Sequence, residues 1–246
     1  MKIAIVTDST CYLPQAEIDK HRITVVPIPV ILDGAVYDEG KDITTEEFYA
    51  KLKTAKTFPS TTQPPLGEML KLYENLANEA YDTIISIHLA STISGFVNTL
   101  KGAVDEVQGA KVYVYDSQIT VILMGWLVLA AAQMAEAGDD PEAILARLDN
   151  LRTTMGEYFI VNDLQNLVRG GRLSNASAFI GGMLKIKPLL TFDDQSHKIV
   201  RSKKFDPSKR LTLALRLCFK KNLIELIIRF ARLSSTLMIR TRPIVG

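Results

Sequence analysis

Short runs of aliphatic and β-branched residues alternate with longer helix-patterned segments along most of this chain, and that alternation restricts its fold more than any other feature. The runs Lys2–Val6, Thr83–His88 and Lys111–Tyr115 are each followed by a turn and then by a segment of helical spacing. Those segments are Leu13–His21, Phe96–Val107 and Ile119–Ala132. Successive parallel strands need a crossover, usually a helix, so this order specifies an α/β protein with a largely parallel sheet. Further helices are expected over Asp42–Lys53, where Thr44 precedes Glu47 in a capping-box arrangement, over Leu66–Ala80, and over Pro141–Arg152 with proline in the first turn. The apolar run Ile23–Leu32 holds Pro27 and Pro29, which have no amide to donate, so it reads as an edge strand or an extended segment. Lys56–Pro65 reads as a loop.

The spacing changes after the short strand expected over Tyr158–Val161. Small residues gather at Gly170, Gly171, Gly181 and Gly182 and lead into a strand-like run over Leu184–Phe192. This places a lobe boundary near residue 155, with an N-terminal α/β lobe over residues 1–155 and a second α/β lobe over residues 156–246. A chain of 246 residues with 47% hydrophobic and 23% charged residues has the composition of an ordinary globular protein of this size.

Several chemistries are poorly supported. Cys11 and Cys218 make neither a disulfide framework nor a C-x-x-C pair, and His21, His88 and His197 show no ligand spacing, so no metal site is expected. No G-x-S-x-G elbow or phosphate-binding loop occurs, and no catalytic residues are assigned. His88, at the end of an apolar strand, reads as a structural histidine. The apolar stretch Ile119–Ala132 falls short of the roughly 18 to 20 residues that cross a bilayer, so it reads as a buried helix and no transmembrane segment is expected. The N-terminus has no basic region followed by an apolar core, from which a cytoplasmic location is expected. Asn175-Ala176-Ser177 matches a glycosylation sequon and reads as chance in that setting.

Charge is distributed unevenly. Residues 201–246 carry twelve Lys and Arg against Asp206 and Glu225, whereas the first 200 residues carry 17 basic and 25 acidic groups. A basic segment interleaved with Leu213, Leu215, Leu217 and Ile224 has three readings: a membrane-surface or nucleic-acid-binding helix, an amphipathic helix packed on the domain, or a C-terminus altered by a change of reading frame. Nucleic acid is not expected as a partner.

In an open parallel sheet, ligands bind where the C-terminal ends of the strands meet the following loops. Four such loops are rich in hydroxyls: Thr7-Asp8-Ser9-Thr10, Pro59-Ser60-Thr61-Thr62-Gln63-Pro64, Ser91-Thr92-Ile93-Ser94-Gly95 and Asp116-Ser117. Ser and Thr hydroxyls, with backbone amides at a helix start, can hold a carboxylate or phosphate without a cation. They can equally cap the helices that follow, and Asp8 can either cap the first helix or orient a neighbouring hydroxyl. An anion- or phosphate-binding enzyme built on the same loops is the alternative function.

Six stretches in order resemble the DegV family of fatty-acid-binding proteins. They are T-D-S-T at Thr7–Thr10, P-S-T-T-Q-P at Pro59–Pro64, S-T-I-S-G at Ser91–Gly95, Y-D-S at Tyr115–Ser117, R-G-G-R-L-S at Arg169–Ser174 and L-K-I-K-P-L-L at Leu184–Leu190. The resemblance implies a two-lobed α/β fold in which a long-chain, palmitate-like fatty acid lies in a tunnel between the lobes. It implies that Thr61 and Ser94 bind the carboxylate, with Thr62 and Ser91 in support; Asp8 and Ser9 are added as supporting residues of the same rim. Arg172 matches a position near the tunnel mouth where a partner docks, a surface salt bridge being its plainer role. The ligand is the fatty acid and no other cofactor is implied. The family's proteins act as non-catalytic carriers in lipid transport and metabolism, presenting the acyl group to a separate ATP-dependent fatty acid kinase. Gly170, Gly171, Gly181, Gly182, Met183 and Leu184 suit close approach to such a tunnel. Family members continue further and supply a C-terminal histidine near the carboxylate. Here the likeness is expected to fade after Lys204, leaving the second lobe atypical or truncated.

Overall fold

A computed structural model describes residues 1–161, 164–174 and 188–202, together with the backbone of 211–216. Its centre is a four-stranded, wholly parallel sheet in the order β2-β1-β6-β7, made from β1 (Ile3–Asp8), β2 (Thr24–Val26), β6 (Thr83–His88) and β7 (Lys111–Asp116). Every residue of β6 is buried, as expected for an inner strand covered on both faces. Because side chains alternate along a strand, Ile5, Ile85 and Ile87 face one layer while Ala4, Val6 and Ile84 face the other. The first layer is α5 (Val121–Ala137), with α6 (Pro141–Thr154) beside it. The second holds Met69, Tyr73 and Leu76 of α3 (Leu66–Asn78) and Phe96 and Leu100 of α4 (Phe96–Lys101). α1 (Gln15–Lys20) and α2 (Thr45–Leu52) complete the N-terminal helices, α2 starting on the Thr44–Glu47 capping box.

The expected run Ile23–Leu32 is divided between two sheets. β2 forms an edge of the parallel sheet, whereas β3 (Pro29–Leu32) sits at the centre of a small antiparallel sheet, β4-β3-β5. β4 (Ala35–Asp38) returns from β3 through Asp33 and Gly34, both at positive φ, as a tight hairpin turn requires. β5 (Ser60–Thr61) lies inside the segment expected to be all loop, and so carries Thr61 into a ladder opposite Val30.

α6 runs directly into β8 (Met155–Ile160), the inner strand of a mixed sheet in the order β10-β9-β8-β11. β9 (Leu190–Phe192) and β10 (Ile199–Arg201) are antiparallel, while β11 (Leu211–Arg216) is parallel to β8; α7 (Gln165–Arg169) follows β8. In β11 the backbone of residues 211–216 is a strand, where two of the three readings of the basic segment make it a helix. The strand reading fits the period-two placing of Leu211, Leu213 and Leu215. Gly181, Gly182, Met183, Leu184, the sequon at Asn175 and residues 217–246 lie outside the described residues. Among the described residues no helix is long and apolar enough to cross a membrane, and no group of three His, Cys, Asp or Glu could hold a metal ion.

Candidate functional site

The loop Leu89–Gly95 leaves the inner strand β6 and is fixed by three consecutive amides, each reaching a different element. Leu89 N donates to Asp8 Oδ2 at the end of β1 (3.2 Å), Ala90 N to the Ile119 carbonyl (2.9 Å), and Ser91 N to Asp116 Oδ1 at the end of β7 (3.1 Å). Ser94 N then returns to the Ala90 carbonyl (3.1 Å), and Ser94 Oγ accepts from Phe96 N at the start of α4 (3.3 Å). The N-cap of α4 is Gly95, with no side-chain cap; Ser94 precedes it, and its hydroxyl is held by the first helical amide.

The Pro59–Pro64 loop comes to the same spot. Thr99 Oγ1 donates to Gln63 Oε1 (2.9 Å), and Gln63 lies so close over Gly95 that a Cβ there would stand 2.9 Å from Gln63 Nε2. Arg172 closes the third side. Its Nε donates to the Ile93 carbonyl (2.9 Å) and its Nη2 to Thr61 Oγ1 (3.3 Å), so one guanidinium spans the residue before Ser94 and the hydroxyl of Thr61. The rigid planar fork of arginine suits such a brace, which a lysine cannot reproduce. These contacts are hydrogen bonds within the chain and link residues up to 111 positions apart.

The supporting residues are placed less uniformly. Thr62 N continues the β3 ladder by donating to the Pro29 carbonyl (3.0 Å), and Ser91 is tied through its amide to Asp116. Ser9 is committed elsewhere: its hydroxyl donates to Glu39 Oε2 (2.6 Å) and accepts from Ile28 N (3.0 Å). Asp8 is fully buried and accepts from Thr10 N (3.0 Å), Thr10 Oγ1 (2.5 Å), His88 Nδ1 (2.9 Å) and Leu89 N. It caps the short turn Ser9–Cys11, not the first helix, which starts after Pro14, and it orients the neighbouring Thr10 hydroxyl.

Sequence reasoning missed the polar chain behind this loop. His88 Nε2 meets Ser86 Oγ at 2.7 Å, and Ser86 Oγ meets Tyr73 OH at 2.8 Å, all with fully buried side chains. The readable signal was Ser86 and His88 two apart in an apolar strand, hence on one face. Burial pushes the Tyr73 phenol up to about 12, so it stays a donor. A Ser-His-Asp order without access to solvent is a structural network and not a nucleophile.

Beside the brace lies a cleft of about 340 Å³ lined by Thr92, Gly171, Arg172, Leu173, Ser174 and Lys198. Its lining is mainly polar; of these residues Leu173 also belongs to an apolar cluster with Ala90 of the loop and Phe159, Leu190, Phe192 and Ile199 of the second sheet, against which Ile93 packs. Thr92 Oγ1 donates to the His197 carbonyl, a second tie between the loop and that sheet. The site therefore joins a polar corner at Thr61, Ser94 and Arg172 to an apolar seam between the two sheets.

Comparison with known proteins accounts for this arrangement. Residues 2–223 match the model of a family described as uncharacterised protein, DegV family, so the match continues past Lys204 through β11. A DegV domain-containing protein of Listeria innocua is 45% identical over 194 residues, covering 79% of this chain and 69% of that protein. The crystal structure of DegV, a fatty acid binding protein from Bacillus subtilis, superposes with a TM-score of 0.76 at 37% identity, covering 96% of this chain and 79% of that one. A stearic-acid-binding protein from Eubacterium ventriosum superposes with a TM-score of 0.71 at 26% identity, over 81% of this chain and 69% of its own. The family match over residues 2–223 and the 45% identical relative show that the chain belongs to the DegV family.

Proposed function

We propose that this chain binds a long-chain fatty acid, with the carboxylate held by the Thr61 and Ser94 hydroxyls and the acyl chain lying along the seam between two lobes that part near residue 155. The observation that carries this reading is the Arg172 brace, because it draws the two hydroxyl loops to one polar corner at the edge of the apolar cluster of Ala90, Ile93 and Phe159. The guanidinium adds a positive charge beside Thr61, which favours an ionised head group. Thr62 and Ser91 support the rim.

The energetics match a lipid better than a small anion. Each buried methylene contributes about 0.8 kcal/mol, so a palmitate-like chain gains on the order of 10 kcal/mol before its entropy and desolvation costs. Hydrogen bonds to the charged head add about 1.5 to 3 kcal/mol each and fix its register. A phosphate-binding enzyme on the same loops has less support, since the buried Asp8–His88–Ser86 network offers no accessible nucleophile or base. The protein is then a carrier in the cytoplasm that hands its acyl group to a separate ATP-dependent kinase, with Arg172 and Lys198 at the exposed edge of the cleft facing that partner.

Native mass spectrometry of the purified protein is expected to show a co-purified C14–C18 acid. Calorimetry with palmitate should give a dissociation constant raised at least tenfold in Thr61→Ala/Ser94→Ala, with the thermal transition retained. Equal affinity in the double variant removes these hydroxyls from the site. An apo mass combined with no palmitate uptake rejects the function.

A further inference from the structure

We infer that Asp8 and His88 are positioning residues for Ser94, acting from behind the loop without touching the ligand; the inference rests on the reading of Thr61 and Ser94 as the carboxylate site. Two routes lead from this pair to the Ser94 hydroxyl. Along the backbone, Asp8 Oδ2 accepts from both His88 Nδ1 and Leu89 N, which anchors the first amide of the loop to the end of β1. Through packing, the His88 ring meets Phe96 edge-on, with centroids 4.7 Å apart and planes at 66°, and Phe96 is the residue whose amide donates to Ser94 Oγ. A turn or shift of the imidazole therefore moves the atoms that fix Ser94.

The buried network also sets the protonation pattern of the ring. Asp8 can only accept, so His88 Nδ1 carries the proton that points to it. Ser86 Oγ then donates to Nε2 and accepts from the Tyr73 hydroxyl, so that all three hydrogen bonds run in one direction from Tyr73 to Asp8. A doubly protonated ring would turn the Ser86 proton toward Tyr73, whose own hydrogen has no other acceptor among the described residues. The neutral Nδ1–H form is thus the one that satisfies every member of the chain, as buried polar groups demand.

Asp8 is chemically hard to replace in this role. Its four donors divide evenly, Thr10 N and Oγ1 on Oδ1 and His88 and Leu89 on Oδ2. An asparagine of the same shape has one acceptor oxygen and one NH2, so one of the two pairs must face a donor. Asp8→Asn either frees the turn after β1 or releases Leu89 and the imidazole.

The test combines nitrogen NMR of His88 with palmitate calorimetry. In the wild-type protein the His88 nitrogens should carry the Nδ1–H signature, and Asp8→Asn should bind palmitate about tenfold more weakly, the loss of roughly one charge-assisted hydrogen bond. Ser86→Ala keeps all four donors on Asp8 but detaches Nε2. It should retain the Nδ1–H signature with a shifted Nε2 resonance and bind palmitate a few-fold more weakly, and it decides the matter if Asp8→Asn does not fold. An Nε2–H signature in the wild type overturns the inference. So does palmitate bound at wild-type affinity by folded Asp8→Asn, or by Ser86→Ala with a shifted Nε2 resonance. A wild-type protein that takes up no palmitate is a different result, which removes the carboxylate site itself and this inference with it.

Discussion

The two four-stranded sheets each bury a carboxyl group, Asp8 at the end of β1 and Glu157 within β8, and they accommodate it in opposite ways. Asp8 sits among four donors that use both of its oxygens. Glu157 has an oxygen, Oε1, with no hydrogen-bond partner among the described residues, and burial pushes its carboxyl up to about 8, only partly offset by the nearby Arg152 charge. The difference is one of construction. In the parallel sheet a buried charge ties the turn after β1 to the end of β6 and the loop that follows it. In the mixed sheet the buried carboxyl lies within a strand with Oε1 unmatched among the described residues, and it is tolerated by staying protonated. Position relative to the strand ends, more than burial itself, separates a carboxylate that builds a site from one that is a liability.

Removing the organising carboxylate is the strongest way to break this comparison. Asp8→Ala strands the buried His88 ring and Leu89 amide and the half-buried Thr10 amide and hydroxyl, and losing the acceptor for these donors costs about 3 to 5 kcal/mol. Urea unfolding should show that drop, whereas Glu157→Gln should leave stability at pH 7 unchanged or slightly higher. Comparable losses at both positions would erase the distinction.

A second, smaller effect probes the same N-terminal corner without touching charge. Gly125, inside α5, lies against the turn after β1, where an added Cβ would stand 2.5 Å from the Cys11 carbonyl oxygen and 2.9 Å from Leu13 Cδ2. Backbone cannot yield as a flexible side chain does, so Gly125→Ala forces the helix off the turn and costs about 1 to 3 kcal/mol. At Gly95 the obstructing atom is the far end of Gln63. Gly95→Ala should therefore stay within about 0.5 kcal/mol of wild type in the same measurement.

These contrasts also mark what sequence made legible. The strands β1, β6 and β7 were readable because a parallel sheet buried on both faces leaves continuous apolar runs, and α2 and α6 because Thr44, Glu47 and Pro141 are start signals with a mechanism. β3 and β4 were hidden inside a single apolar run and its continuation, although Asp33-Gly34 is itself a hairpin signal. β5, two residues long, has no periodicity to read. The hydroxyl loops were visible as composition, but the residue that gathers them was not. Arg172 meets Ile93 and Thr61 across 79 and 111 positions of sequence, and the Asp8–His88 contact exists only because β1 and β6 are neighbours. Local pattern identifies who can hydrogen-bond, and strand order decides with whom.

The last of the expected effects sharpens the comparison through pH. Glu157 is held at about 8 in the folded protein against 4.5 for an ordinary glutamate, so between those values the native state keeps a proton that the unfolded chain has released. Stability contributed by this group must then fall as pH rises from about 4.5 to 8, by at most about 1.4 kcal/mol per unit, and level off above. This runs against the usual behaviour of carboxylates paired in the native state, which gain stability over the lower part of that range. Chemical denaturation of wild type and Glu157→Gln at pH 5, 6.5 and 8 isolates the term, because all other groups cancel in the difference. The variant, which has no proton to lose, should gain on wild type by roughly 3 kcal/mol from pH 5 to 8. A constant difference across the three pH values would mean that Arg152 keeps Glu157 ionised as a buried ion pair, and the two sheets would then handle their carboxyl groups alike.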